Sequence, residues 1–292
     1  MDRYLRSSLV YVIPALVLYL WFVLFPAFSA FHYSLYEWVG FGNKKFIGVA
    51  NFLSLFSDEY SLVALKNTFF FVGMGTLGVV TGGLLVALLL NRITIGHGLL
   101  KTVYFLPVVM SAVAVGLLWR FIYNPDIGLL DSFIRLLGAK DFKYNWLGNR
   151  DTILVVVLIP VVWQYIGLYM VIYYAGLKSI PASFLEAADI DGASSFQKFR
   201  FITIPLLREV TPVCAIMAST GLLRMFDHVW AITKGGPNHS SEVLAIYMWQ
   251  EAFEMYKAGR AMGVAVLMFF FSILITVGLR RIVGIRDITY SG

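Results

Sequence analysis

ILVVVLIPVVWQYIGLYMVIYYAG, from Ile153 to Gly176, runs without a charged side chain. A helix that crosses the hydrocarbon core of a bilayer needs about 20 mostly apolar residues, and this stretch supplies them. Backbone polar groups cannot go unpaired in lipid, so a run of this length is read as a helix that bonds to itself. Working outward, five more such runs stand at Leu9–Phe31, Thr68–Leu90, Val103–Ile122, Thr211–Phe226 and Ala261–Leu279. The run at 211–226 is short and calls for extension at its ends. The short alternating segments of a membrane β-barrel are missing. The expected fold is therefore an all-α integral membrane protein with six transmembrane helices, forming a single domain over residues 1–292.

Composition agrees. Of 292 residues 59% are hydrophobic and 16% aromatic, and only 14% are charged against about 25% in soluble proteins. Mean hydropathy is +0.78. Too few polar side chains are present to cover a soluble fold. A lone cysteine, Cys214, excludes a disulfide framework and a thiolate metal site, and is expected to be a small packing residue. The histidines at 32, 97, 228 and 239 lack the i, i+4 spacing of a helical metal pair, so no metal site is expected and they are read as loop or interface residues. Arg3 and Arg6 precede the first run, and Ala27-Phe28-Ser29-Ala30 resembles a cleavage box. The apolar stretch is about twice a signal-peptide core, which favours an uncleaved anchor.

The net charge of +6 matters through its placement. With the N-terminus inside, the inner segments 1–8, 91–102, 177–210 and 280–292 hold 11 lysines and arginines in 67 positions, Arg286 among them. The outer loops 32–67, 123–152 and 227–260 hold 10 in 100, and 11 of the 17 acids. Basic residues favour the cytoplasmic side, so both termini are expected there. No nucleic-acid partner is implied; the basic residues face lipid head groups. Arg120 and Arg224 lie near outer span ends, where long side chains snorkel to the interface.

The longest inner loop, about residues 177–208, reads LKSIPASFLEAADIDGASSFQKFRFITIPLLR. Pro181 suits a first helical turn, Ser183 and Glu186 have capping-box spacing, and Gly192 is a helix stop. Ser194 or Ser195 can cap a second short helix through Phe201, after which Pro205 introduces the next span. Phe184, Leu185, Phe196 and Phe199 are too apolar for a freely solvated loop. Physics alone leaves two readings open, a knob that docks to a partner and an amphipathic loop resting on lipid.

A resemblance carried by the spacing favours the docking knob. Glu186-Ala187-Ala188, three residues, Gly192, nine residues, then Ile202-Thr203-Ile204-Pro205 resembles the signature loop of permease subunits in binding-protein-dependent ABC importers. Ile204 stands where that family has leucine. Phe46 to Phe52 with Leu65-Lys-Asn67-Thr68, Tyr123 to Leu130, and Phe226-Asp227 with Thr233 to Pro237 resemble the outer loops of the first-type subunit of carbohydrate-uptake importers. Gly235-Gly236-Pro237 is a turn where a binding protein would dock. The resemblance implies the type I ABC importer permease fold and a bacterial or archaeal cytoplasmic membrane. It implies as partners a second permease subunit, an ABC ATPase dimer and an extracytoplasmic solute-binding protein. ATP and magnesium would belong to the ATPase. This chain has no phosphate-cradling loop of its own, since Gly40-Phe-Gly42-Asn-Lys44-Lys45 lacks the spacing, and it is not expected to be an enzyme. By the same resemblance Glu186 pairs with a basic residue of the ATPase, Ala187 and Ala188 permit close approach, and Gly192 turns the corner, with Ile202 and Pro205 closing the motif.

A polar residue in a span usually faces a partner helix or a water-filled cavity. Gln164 lies beside Tyr165, Tyr169 and Tyr173, a stripe at four-residue spacing. In the fifth span Thr220, Arg224 and Asp227 share a helical face at i, i+4, i+7. Aromatic faces with amide and hydroxyl groups suit a sugar, whose ring faces are apolar and whose rim is polar. Interfacial tyrosines and a structural Arg224–Asp227 pair explain the same residues. A glycoside or glycerol phosphate stays open, since Arg224 suits an anion. Gly82-Gly83 is expected to allow close helix packing. An ion-coupled secondary transporter or channel is the alternative, but it asks for midplane carboxylates or repeated halves. A membrane enzyme asks for clustered titratable groups at one depth. Neither pattern is evident, and neither explains the inner loop.

Overall fold

A computed structural model describes the backbone of residues 2–283 and the side chains of residues 11–281. Arg3, Arg6 and Arg286, used above for orientation, have side chains outside the described residues. In chain order come α1 (Tyr11–Tyr33), a two-stranded antiparallel ribbon of β1 (Tyr36–Glu37) and β2 (Lys45–Phe46), α2 (Ala50–Ser57) and α3 (Glu59–Arg92). Then follow α4 (His97–Val109), α5 (Ala112–Ile122), α6 (Leu129–Leu136), α7 (Ile153–Lys178), α8 (Ala182–Ile190) and α9 (Ser195–Leu223). The chain continues with α10 (Asp227–Ile232), α11 (Leu244–Phe253) and α12 (Ala258–Val283). Among the described residues five helices are long and apolar enough to span a membrane, six if the bent pair α4 and α5 is one span. The chain is a multi-pass membrane protein.

Two expected spans take different forms. The run at 103–122 is not one helix, because α4 and α5 meet at 98°. Pro107 sits in the tight last turn of α4, Met110 is extended, and the Ser111 hydroxyl caps α5 by accepting from the Ala114 amide at 3.1 Å. The fifth span ends at Leu223 instead of Phe226, and it begins in the inner loop: α9 is continuous from Ser195. Pro205 therefore lies inside a helix. Having no N–H to donate, it is preceded by a wide π turn at Phe199–Thr203. The π turn Leu20–Leu24 stands before Pro26 in the same way.

The chain forms two compact units. One holds residues up to 62 together with 247–270. In it the Asn51 amide donates to the carbonyls of Ser34 at 2.7 Å and Tyr36 at 2.9 Å, tying α2 to the ribbon. Arg260 donates to Asp58 at 2.7 Å and to the Tyr247 hydroxyl at 2.6 Å, with Glu251 at 3.6 Å. Phe31 meets Phe269 and Phe270 edge-on.

The other unit holds residues 63–246 and the chain from 271 onward. Here α3 and α7 pack along a glycine stripe. A Cβ at Gly78 or Gly82 would lie 2.9 Å or 2.8 Å from Val162 or Ile166, and one at Gly83 would lie 2.6 Å from Tyr169 Cβ. At Gly83 a Cβ would also stand 2.9 Å from the Met170 backbone nitrogen, so only hydrogen fits there, the close packing expected of Gly82-Gly83. Phe71, Val157, Val161 and Leu223 form one core, and Val79, Met170, Tyr173 and the fully buried Cys214 another. Asn67 clamps the 233–242 turn, donating to the carbonyls of Ser240 at 3.1 Å and Glu242 at 2.8 Å, while the Thr68 hydroxyl accepts from the Leu244 amide. Asp131 is buried but accepts from the Trp146 indole at 2.6 Å and the Tyr144 amide at 3.0 Å.

Candidate functional site

A cavity of about 300 Å³ opens in the second unit between α3, α7, α9 and α10, at the lower end of ligand-pocket sizes. Its wall is mixed. Met217 and Leu222 of α9 and Val79 of α3 are apolar, while Tyr165, Tyr169, Arg224, Asp227 and His228 bring hydroxyl, cationic, carboxylate and imidazole groups. Apolar surface broken by a few converging polar groups has the chemistry to suit a ring with a polar rim.

The structure sorts the six residues read as a pathway. Tyr165, Tyr169, Arg224 and Asp227 line the cavity. Gln164 does not: it is 1% exposed, donates to the Met110 carbonyl at 2.9 Å and accepts from His228 at 2.6 Å. Thr220 is also off the wall, its hydroxyl turned back on the Ile216 carbonyl at 2.7 Å. The helical face joining Thr220, Arg224 and Asp227 does not exist, because α9 stops at Leu223 and Asp227 opens α10. Arg224 donates to the Thr220 carbonyl at 3.3 Å, and among the described residues it forms no ion pair with Asp227. Arg224 and Asp227 reach one cavity by the break, not by helical periodicity. His228, read from sequence as a loop or interface residue, is 3% exposed and part of the wall. Its signal was present in Phe226-Asp227-His228, a polar pair directly after the apolar run.

The inner loop is a second candidate surface. Pro181, not Ser183, caps α8, so the Ser183–Glu186 capping box does not form. The box is at Ser194 and Gln197 instead, where the Ser194 amide donates to Gln197 Oε1 at 2.7 Å and the Gln197 amide to the Ser194 hydroxyl at 3.3 Å. Gly192 has φ +72°. The Ala193 amide donates to Ala188 at 2.9 Å and the Gly192 amide to Asp189 at 3.1 Å, a double closure that needs a left-handed residue at 192. Glu186 and Ala187 are exposed, Gly192 and Pro205 are exposed, Ile202 is half-buried, and Ala188 packs inward against its own chain. Phe184 and Phe196 stand out, joined by Ile190 and Phe201, while Leu185 and Phe199 are half-buried. This apolar patch lies beside a carboxylate that has no partner among the described residues, the character of a candidate interaction surface.

Comparison with known proteins places the chain in a family. The sequence profile described as a binding-protein-dependent transport system inner membrane component matches residues 78–286. The probable ABC transporter permease protein YurN of Bacillus subtilis (strain 168) is 35% identical over 258 residues, covering 87% of this chain and 88% of its own. The lactose transport system permease protein LacF of Rhizobium radiobacter is 33% identical over 246 residues, covering 83% and 82%. Among solved structures, a chain of a bacterial alginate ABC transporter in complex with an alginate pentasaccharide-bound periplasmic protein superposes with a TM-score of 0.85 at 20% identity, over 100% of this chain and 98% of that one. At that identity the likeness is one of fold.

Proposed function

This chain belongs to the family of binding-protein-dependent transport system inner membrane components, and on that premise we propose that it is the permease subunit of an ABC importer for a sugar or related solute. One observation carries the reading: a single helix, α9, begins in the inner loop beside Phe196 and ends at the cavity beside Leu222. At 1.5 Å per residue its 29 residues reach roughly 43 Å. A displacement imposed on the loop travels along that rod to the solute site.

In this reading Glu186 pairs with a basic group of a separate ATPase, Ala187 allows that surface to approach, and Gly192 holds the two arms of the loop at a fixed angle. Ala188 serves the corner from inside. Ile202 and Pro205 belong to the rod. ATP and magnesium are handled on the ATPase, and this chain hydrolyses nothing. A second permease subunit completes the pathway, a binding protein delivers the solute from outside, and the assembly sits in a bacterial or archaeal cytoplasmic membrane with both termini inside. Tyr165, Tyr169, Arg224 and Asp227 contact the solute, whose ring faces stack on the tyrosines and whose hydroxyls meet the charged groups. The sugar-transport names among its relatives support a saccharide.

The test is ATP-driven uptake into proteoliposomes holding this chain with its partner permease, ATPase and binding protein. Radiolabelled lactose, diacetylchitobiose, maltose and glycerol 3-phosphate form the panel. Uptake of a saccharide that depends on ATP and is weakened by Tyr169→Ala supports the reading. Uptake of glycerol 3-phosphate alone, or of nothing in the panel, overturns the saccharide assignment.

A further inference from the structure

Gln164 sits halfway along α7 with both amide atoms engaged. Its Nε2 donates to the Met110 carbonyl at 2.9 Å. Met110 is the extended residue at the break between α4 and α5, with φ −73° and ψ 148°. A carbonyl only accepts, so the amide has one possible orientation, NH₂ toward Met110 and Oε1 toward His228. Oε1 also only accepts. The proton in the 2.6 Å contact therefore belongs to His228 Nε2. In a neutral imidazole with Nε2 protonated, Nδ1 is a bare acceptor. The ring stands in the cavity wall, edge-on to Tyr165 at 5.8 Å and next to Asp227 in sequence, and Tyr169 lines the same cavity.

We propose that His228 presents Nδ1 as a fixed hydrogen-bond acceptor to a hydroxyl of the bound solute, and that Gln164, anchored on Met110, is the positioning residue that holds the ring in this tautomer. The proposal rests on the reading of this cavity as the solute site. It makes the cavity selective for a ligand that donates at that point: a deoxy or methoxy analogue leaves a buried acceptor unpaired, which weakens binding. It also gives the polar Gln164 in an apolar span a physical reason, since the bend exposes a carbonyl and the amide joins that carbonyl to the site.

Two measurements test it. The first is ¹⁵N NMR of histidine-labelled full chain in nanodiscs at neutral pH, with the His228 signals identified by their loss in His228→Gln. A neutral ring protonated at Nε2 is expected, turning into a tautomer mixture in Gln164→Leu. A ring protonated at Nδ1, or at both nitrogens, overturns the proposal. The second is uptake of the transported saccharide in the assembled importer, with co-purification of the partners as the check on folding. His228→Gln keeps a donor for Gln164 but leaves no acceptor at the Nδ1 position, and should raise KM about tenfold with little change in Vmax. His228→Asn, whose Oδ1 approximates the Nδ1 position, should recover part of the loss. An unchanged KM in His228→Gln, alongside a raised KM in Tyr169→Ala, overturns the acceptor role and leaves the cavity reading intact. If neither variant moves KM, the cavity reading itself falls, while the NMR result still decides the tautomer.

Discussion

Lys198 donates to the Asp189 carboxylate at 2.6 Å across the glycine corner of the inner loop, tying the first turn of α9 to the last turn of α8. The pair is solvent-facing, so it adds little to stability, about 0–1 kcal/mol. Its consequence is angular: with the closure at Gly192 it holds two short arms as one body. Asp189→Ala is expected to leave thermal unfolding within a few degrees and to lower ATP-coupled uptake severalfold, because force applied to α8 is then partly lost at the corner. Equal losses of stability and uptake would argue against a lever.

Glu186→Lys reverses an exposed carboxylate of α8 that has no partner among the described residues. The variant should insert and fold normally, lose the ATPase on co-purification in mild detergent, and lose uptake. Normal transport by this variant would remove Glu186 from the coupling surface.

Gly83→Leu puts a side chain where even a Cβ stands 2.9 Å from the Met170 backbone nitrogen. Backbone cannot yield as a side-chain tip can, so the variant should lose about 1–3 kcal/mol, or fail to accumulate. Gly73→Ala, with nothing within 4 Å of its Cβ, is the matched control and should be neutral or slightly stabilising. Unfolding monitored in detergent separates the two.

Arg260 lies among Asp58, Tyr247 and Glu251 in the first unit, only partly reached by solvent. Arg260→Met leaves two carboxylates without their cation and should cost about 3 kcal/mol. Asp58 also gives a pH signature. Burial alone would raise its carboxyl pKa, but the Ser61 amide and the Arg260 guanidinium together hold it below the ordinary value. A carboxyl with a lowered folded-state pKa adds stability above its unfolded pKa of about 3.9 and loses it as pH falls through the folded value. Stability should be flat on this account from pH 7 to about 5 and decline below about 4, with a smaller decline in Asp58→Asn.

Much of this architecture was legible from residue order. Apolar runs near 20 residues must be helices in lipid, so the spans at 153–176 and 261–279 lie inside helices of closely similar extent, and the span at 9–31 lies inside helical backbone that runs from Asp2 to Tyr33. Gly192 as the corner was readable because only glycine enters the left-handed region without strain. Gly82-Gly83 as a packing site was readable because two small residues in a span leave room for a backbone. The break at 110–111 was not, since Met110 and Ser111 are unremarkable in an apolar run and it is packing against α7 that holds the bend. Pro205 misled for a related reason: locally it ends a helix, but a wide turn before it lets α9 continue.

Local chemistry thus determined the membrane class, the number of apolar runs and the composition of the inner loop, because each depends on burial and backbone geometry within about one helical length. The cavity proposed as the solute site was decided only by tertiary structure. Tyr165, Arg224 and His228 come from segments far apart in sequence or separated by a helix break, and no periodicity relates them. Gln164 belongs to the same stretch of α7 as Tyr165, yet its amide is committed to Met110 and His228, 54 and 64 residues away. A buried amide takes its role from whichever groups the fold leaves unpaired beside it.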